Sequence, residues 1–208
     1  MEMKNKFIFG ASGHGKVVAD CITNSNGKVL AFFDDAPKPT QWNGISILNS
    51  SLMPDASSNE IIIAIGNNQM RKQISERLSG SNFGNCQHKT SLVASNVIIG
   101  IGAVILANTV VNSDTIIGKH CIVNTSSVVE HDCRLDDFVH ISPNATLAGN
   151  VSIGEGTHIG IGALVIPNIK IGKWCTIGAG TVVIRDVPDY AVVVGNPGRI
   201  IKYNNFEI

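Results

Sequence analysis

From Val97 to Val183 a branched aliphatic residue returns at every sixth position: Ile99, Ile105, Val111, Ile117, Val123, Val129, Leu135, Ile141, Leu147, Ile153, Ile159, Val165, Ile171, Ile177 and Val183. Two residues before each stands a mostly small or β-branched residue, from Val97 and Ala103 to Cys175 and Thr181. A period of six is neither the 3.6 of a helix nor the plain two of a strand. It is a short strand plus a corner, the signature of a β-helix built from hexapeptides.

Three such units close one triangular coil of eighteen residues, so this array makes about five coils stacked at the usual strand spacing of about 4.8 Å. Each aliphatic stacks on the one eighteen residues later, and the interior becomes a set of aliphatic columns. Glycine follows the aliphatic at Gly100, Gly118, Gly154, Gly160, Gly172 and Gly178, which reads as a tight corner that favours a residue without a Cβ. Cys121, Cys133 and Cys175 are spaced by multiples of six and share the small inward position, so they read as packing residues, not as nucleophiles.

With 208 residues and zero formal net charge, polyanion binding is not suggested. No apolar run reaches eighteen residues and the opening MEMKNKFIFGASGHG lacks a secretory-leader layout, so the expectation is a soluble cytoplasmic protein without stable membrane insertion. The five cysteines form no CxxC pair and the histidines form no zinc spacing. No metal is expected, and the thiols are expected to be reduced.

Residues 1–86 do not keep the sixfold rule and read as a small Rossmann-like α/β domain, with residues 87–208 forming the β-helix and a tail that caps it. Strands are predicted at 6–9, 29–33 and 60–65, with helices at 16–23 and about 69–79. A Pro-rich connection holding Pro37 and Pro39 follows the second strand. The first strand runs into Gly10-Ala11-Ser12-Gly13-His14-Gly15, where free backbone N–H groups and a helix start suit a phosphate. The spacing is not GxGxxG. A nucleotide or sugar nucleotide, a purely structural turn and a nicotinamide or flavin cofactor all remain open. Asp34-Asp35 and Gly66 end the next strands on the same carboxyl edge, and His14 is either a ligand contact or a helix-start residue.

Within the array one corner departs from the pattern: Asn124-Thr125-Ser126-Ser127-Val128-Val129-Glu130-His131-Asp132-Cys133. A histidine between two carboxylates on a rigid outer corner is a candidate general base, and a solvated polar corner is the alternative. His140 follows His131 by nine residues, half a coil, so the two lie on opposite sides of one prism. They can serve one site only between subunits. His120 and His158 fall at outward positions and read as solvated surface.

FIFGASGHGKVVAD, FFDD, IAIGNN, NTSSVVEHDC, VHISPNATLAGNV and VVVGNPGRIIK, in this order across nearly the whole chain, resemble the left-handed β-helix acyltransferases of the sialic acid O-acetyltransferase family. Within it they look most similar to the UDP-4-amino-sugar N-acetyltransferases of the bacillosamine pathway. The resemblance implies a homotrimer with active sites between subunits, acetyl-CoA as cosubstrate and a UDP-amino-sugar acceptor. It implies His131 as general base and Asp132 as the acid beside it. It places His140, Ile161 and Ala179, the last often glycine in the family, along acetyl-CoA. It places Ser12, Gly13, His14, Asp34, Asp35 and Gly66 in the sugar-nucleotide pocket. Gly198 departs from the family's usual alanine. Sialic acid O-acetylation, GDP-perosamine N-acetylation and a scaffold with a vestigial site are the competing readings.

Overall fold

The computed structural model describes residues 5–36, 40–54 and 59–205, so the expected Pro37 and Pro39 connection lies outside the described residues. The amino-terminal part is an α/β layer. β1 (Asn5–Phe9), β2 (Lys28–Asp34) and β5 (Glu60–Ile63) form the expected parallel core, with α1 (Gly13–Asn24) and α2 (Asn68–Arg77) following β1 and β5. Two elements were not legible in the sequence: β3 (Gln41–Trp42) and β4 (Ile45–Asn49) extend the sheet in the order β3-β4-β2-β1-β5. They lie at one margin of the sheet and bury few residues, so they lack a strong alternating pattern.

The rest is a parallel β-solenoid. Seventeen two-residue strands, β6 (Cys86–Gln87) through β22 (Val182–Val183), pair in register eighteen residues apart and form three sheets. Val123, for example, lies between Ile105 and Ile141. The solenoid starts before the sixfold rhythm is visible, because Gln87 breaks the aliphatic column while its backbone still pairs with Ile105. The periodic aliphatics from Ile105 onward and the three inward cysteines are buried in one continuous core. At the far end, β23 (Ala191–Val194) continues one sheet and β24 (Arg199–Tyr203) pairs antiparallel along its edge.

The corner glycines stand where there is no room for a Cβ, as expected, but they do not carry the left-handed turn. The left-handed conformation falls not on Gly100, Gly118 or Gly154 but three residues after each aliphatic, at every sixth residue from Gly102 to Gly180. There Asn, Asp and Gly predominate, the residues that tolerate positive φ at least cost. Gly100, Gly118 and Gly154 are needed for space, since a Cβ at each would lie 2.6 Å from backbone of the next coil.

Among the left-handed residues His120, Phe138 and Trp174 are bulky, and they share one column with spacings of eighteen and thirty-six. α2 lies along that column. Asn68 Nδ2 donates to Gly156 O (2.9 Å), Lys72 pairs with Glu155 (2.6 Å), and Phe83, just after the helix, meets His120 edge-on at 4.7 Å. Arg71 is the centre of the seam. Its Nε donates to His120 O, Nη2 to Phe138 O and Asn68 Oδ1, and Nη1 to Ile65 O, all at 2.8 Å. It is 1% exposed with no carboxylate among those partners, and burial lowers its pKa only to about 10, so it stays charged at neutral pH. α1 packs on the adjoining face, where Val18, Cys21 and Ile22 form one cluster with Val104 and Ile122 of the solenoid.

Replacing Arg71 by Met leaves four acceptors at the seam without a donor, so the loss of hydrogen bonding outweighs the relief of burying a charge. We expect a destabilisation of about 3 kcal/mol or more in urea unfolding at neutral pH. A midpoint unchanged from wild type would contradict this account of the seam.

Candidate active site

The glycine turn after β1 divides its labour. A Cβ at Gly15 would collide with the Gly10 carbonyl, and Gly10 itself has φ 107°, so both are required by the turn. A Cβ at Gly13 would meet nothing within 4 Å, which leaves the start of α1 open. Ser12 is the N-cap but its hydroxyl makes no capping bond, and the first turn carries no acidic residue. The open helix start therefore keeps its donors and its positive end available to an anion.

The expected acidic pair is held in place by hydrogen bonds. Asp34 Oδ2 accepts from the Ala11 N–H (2.9 Å) and Oδ1 from the Ala36 N–H (3.0 Å), so this carboxylate braces the glycine turn. Asp35 is held by Arg77 (3.0 Å) and by the Ser50 hydroxyl (2.6 Å), the Arg77 bond being the main cause of its lowered pKa.

On the solenoid face toward this domain, the outward residues of successive coils are Val104, Ile122, His140 and His158. The first two are apolar and docked under α1. His140 is 8% exposed and lies at the end of the seam, beside Gly66. Its Nδ1 faces Gly66 O at 3.2 Å and its Nε2 faces Asn124 Nδ2 at 3.1 Å. Asn124 Oδ1 accepts from the Thr125 N–H at 2.8 Å, so its amide NH2 is the end turned to His140. The imidazole is thus the neutral Nδ1–H tautomer, donating to Gly66.

His14 stands 6.3 Å from the His140 ring, and His158 stacks on His140 at 4.9 Å while its Nε2 meets the Ser142 hydroxyl at 2.7 Å. A cavity of about 390 Å³ opens here, lined by Gly66, His140, His158, Trp174 and Asn204 among others. The expectation that His120 and His158 are solvated is overturned. His120 is 4% exposed, stacked on Phe138 at 5.4 Å, and His158 is half-buried. Outward positions of a repeat read as polar surface only where no second domain covers them, and no periodicity encodes the docking of another domain.

His131 is different in every respect. It sits on the corner between β13 (Val128–Val129) and β14 (Arg134–Leu135), and its side chain is 61% exposed. Asp132 Oδ2 lies 2.7 Å from Nδ1. That hydrogen bond is the largest cause of a raised His131 pKa, and the charges of Asp132 and Glu130 add to it. Glu130 is itself held by Asn112 Nδ2 at 2.7 Å. With Nδ1–H donated to a carboxylate, the Nε2 lone pair faces outward, the tautomer a general base needs. His140 belongs to a different sheet from the two that meet at this corner, in keeping with the half-coil spacing.

Ile161 and Ala179, one coil apart, occupy a third region. Both are exposed on the corner that joins the sheet of His158 to the sheet of Leu164, and a Cβ at the neighbouring Gly162 or Gly180 would meet nothing within 4 Å. An open, partly apolar edge of this kind suits a long flexible chain lying along the prism. Among the described residues no three His, Cys, Asp or Glu side chains converge as a metal site, and no helix is long and apolar enough to cross a membrane.

A hexapeptide solenoid carrying a docked α/β domain and a carboxylate-braced histidine on an outer corner defines a hexapeptide-repeat transferase. Residues 5–78 match the PglD N-terminal domain, and residues 150–185 match the bacterial transferase hexapeptide (six repeats). A match 117 residues long, covering 50% of this chain and 52% of the relative, shows 43% identity to UDP-N-acetylbacillosamine N-acetyltransferase of Bacillus subtilis. The match thus spans about half the length of that curated relative. A mutant perosamine N-acetyltransferase of Caulobacter crescentus in complex with CoA and GDP-perosamine superposes with a TM-score of 0.91 at 32% identity, covering 97% of this chain and 98% of that one. The acetyltransferase domain of PglB from Neisseria gonorrhoeae, in complex with acetyl coenzyme A, gives 0.91 at 36% identity over 96% of this chain and 100% of that domain. The chain belongs to this family of left-handed β-helix sugar N-acetyltransferases.

His14 and His120 are held neutral by burial, with Arg71 adding to it, to a pKa of about 4; His140 and His158 are lowered for the same first cause. The unfolded chain takes up these protons near pH 6.5, whereas in the folded chain His14 and His120 resist theirs until about pH 4. Stability from these groups is therefore full above about pH 7 and is lost as pH falls from there toward 4. We expect the melting temperature to fall between pH 7.5 and 5, and to fall less steeply in His120→Phe, which keeps the aromatic stack. An equally steep fall in that variant would remove His120 from the cause.

Proposed function

We propose that this protein transfers the acetyl group of acetyl-CoA to the amino group of a nucleotide-linked amino-dideoxy sugar. The observation that carries the reading is the His131–Asp132 pair, a base of fixed tautomer on a rigid outer corner, in a chain similar over nearly its whole length to sugar N-acetyltransferases. In this reading residues 1–86 bind the sugar nucleotide, at Ser12, Gly13 and His14 with Asp34, Asp35 and Gly66 framing the pocket. Residues 87–208 bind acetyl-CoA along Ile161 and Ala179, with His140 near the thioester. The sugar amine attacks the thioester carbonyl, His131 Nε2 takes the amine proton, and that proton passes to the departing sulfur as the C–S bond breaks. No acyl-enzyme is required, because the amine is a good nucleophile and the thioester is already activated.

The protein works as a homotrimer in the cytoplasm. In support, the solenoid face that carries Leu92, Val110, Val128, Thr146, Leu164 and Val182 is not the one covered by the α/β domain. Leu92 is 69% exposed and Leu164 46%, a solvent-facing aliphatic column of the kind that marks an interface. Packing copies there would bring the His131 corner of one against the cofactor edge of the next. The acceptor we favour is the UDP-linked 4-amino sugar. A GDP-linked one is the second reading, favoured by the likeness to the perosamine enzyme.

The test is acetyl transfer assayed with UDP-4-amino, GDP-4-amino and sialic acid acceptors, with retention on a coenzyme A resin to exclude a mere scaffold. Amine acetylation that drops about 10²- to 10⁴-fold in His131→Ala is expected. Turnover of that variant within a few-fold of wild type would remove His131 from the mechanism. Because Asp132 raises the His131 pKa, kcat/KM should rise with pH through an inflection above 6.5, the ordinary value. In Asp132→Asn that inflection should move down. The same substrate amine is present in both profiles, so an unmoved inflection would exclude His131 as its origin.

A further inference from the structure

We infer that Gly149 is a positioning residue for His131: its bare Cα, one coil further along the solenoid, is the seat on which the imidazole lies. The register isolates it. Residues two after each aliphatic form the outer corners, and from Ile101 to Ala179 these positions hold Ile, Ala, Ser, Lys, Thr, His, Asp, Pro, Gly, Glu, Ile, Pro, Lys and Ala in turn. Gly149 is the single glycine of that set, and it stands eighteen residues after His131.

Neither of the two usual reasons for a glycine applies. Gly149 is not among the residues with positive φ, so its backbone conformation is open to any residue. Its backbone neighbours leave room as well. The three nearest atoms that a Cβ at Gly149 would meet all belong to the His131 ring: Cε1 at 2.6 Å, Nε2 at 2.7 Å and Nδ1 at 3.3 Å. Gly100, Gly118 and Gly154 differ, for a Cβ there would strike the backbone of the next coil. Gly102 and Gly156 also lie against rings, those of His120 and Trp174, but their positive φ already favours glycine.

The consequence reaches the reacting nitrogen. The ring is braced on one edge by Asp132 at 2.7 Å and is in contact with the neighbouring coil through Cε1 and Nε2. The backbone on both sides is fixed, since the Asp132 N–H donates to Ser113 O (3.0 Å) and the Asn150 N–H to His131 O (2.9 Å). An added methyl cannot push the coils apart, so the imidazole must rotate away. Rotation stretches the Nδ1 bond to Asp132 and re-aims Nε2, and a displacement of about 1 Å at a catalytic group can cost on the order of 10²-fold in rate.

The kinetic part of this inference rests on His131 being the base of the proposed transfer; the geometric part does not. The experiment is Gly149→Ala in the full-length protein, read by turnover, by the pH profile of kcat/KM, and by NMR titration of the His131 ring proton. We expect kcat to fall about 10- to 100-fold with the KM for acetyl-CoA within about threefold. The His131 titration midpoint should fall toward 6.5, as in Asp132→Asn, and the melting temperature should stay close to that of wild type. In a His131→Ala background the same change should have no further effect on turnover.

A wild-type midpoint in Gly149→Ala would overturn the positioning role. So would a loss of turnover in that variant matched by an equal loss of folded protein. If His131→Ala keeps full turnover while Gly149→Ala still shifts the His131 midpoint, the base assignment fails and the seat stands.

Discussion

The structure depends on one constraint, the parallel pairing of each strand with the strand eighteen residues later. Strand pairs such as Val123 with Ile141 repeat this offset throughout the solenoid, so each side chain is placed by its residue number alone. Inward columns become close-packed aliphatic stacks, and outward columns become straight lines of functional or docking groups. The rigidity reaches the outer corners. A histidine carried by a two-residue strand and a four-residue corner would wander if the corner stood alone, but here the corner is hydrogen-bonded to the coils before and after it.

The same register explains how the two parts of the chain are joined. One column, His120, Phe138, Gly156 and Trp174, meets α2, and one face, Val104, Ile122 and His140, meets α1 and the loop at Gly66. Arg71 joins the two by giving all its donors to carbonyl and amide oxygens across the seam. The exclusion of water, with the Arg71 charge adding to it, keeps the histidines around it neutral, whereas His131, in solvent and beside two carboxylates, is shifted the other way. Histidines of one chain are thus sorted into proton-poor ones at the seam and a basic one on the rim.

Much of this architecture was legible in the sequence because a strict period leaves few alternatives. The sixfold aliphatics specified the solenoid, and the spacing of Cys121, Cys133 and Cys175 placed them inside, where they lie. The half-coil offset put His131 and His140 on different sides. What escaped was whatever depends on contact between elements far apart in the chain. His120 looks like surface until α2 and Phe83 cover it, Asp34 looks like a free carboxylate until the Ala11 N–H is seen to claim it, and Arg71 carries no signal at all. β3 and β4 escaped because they bury too little to impose alternation. Gly149 was visible in the register but had no meaning until the ring above it was placed.

The most direct test of the central claim is a crystal structure of the protein with coenzyme A and a UDP-linked 4-amino sugar bound together. The account predicts the sugar amine about 3 Å from His131 Nε2, with the thioester-bearing arm of coenzyme A running along Ile161 and Ala179 of a neighbouring copy. An amine that lies against another side chain, with His131 facing bulk solvent away from both ligands, would contradict it.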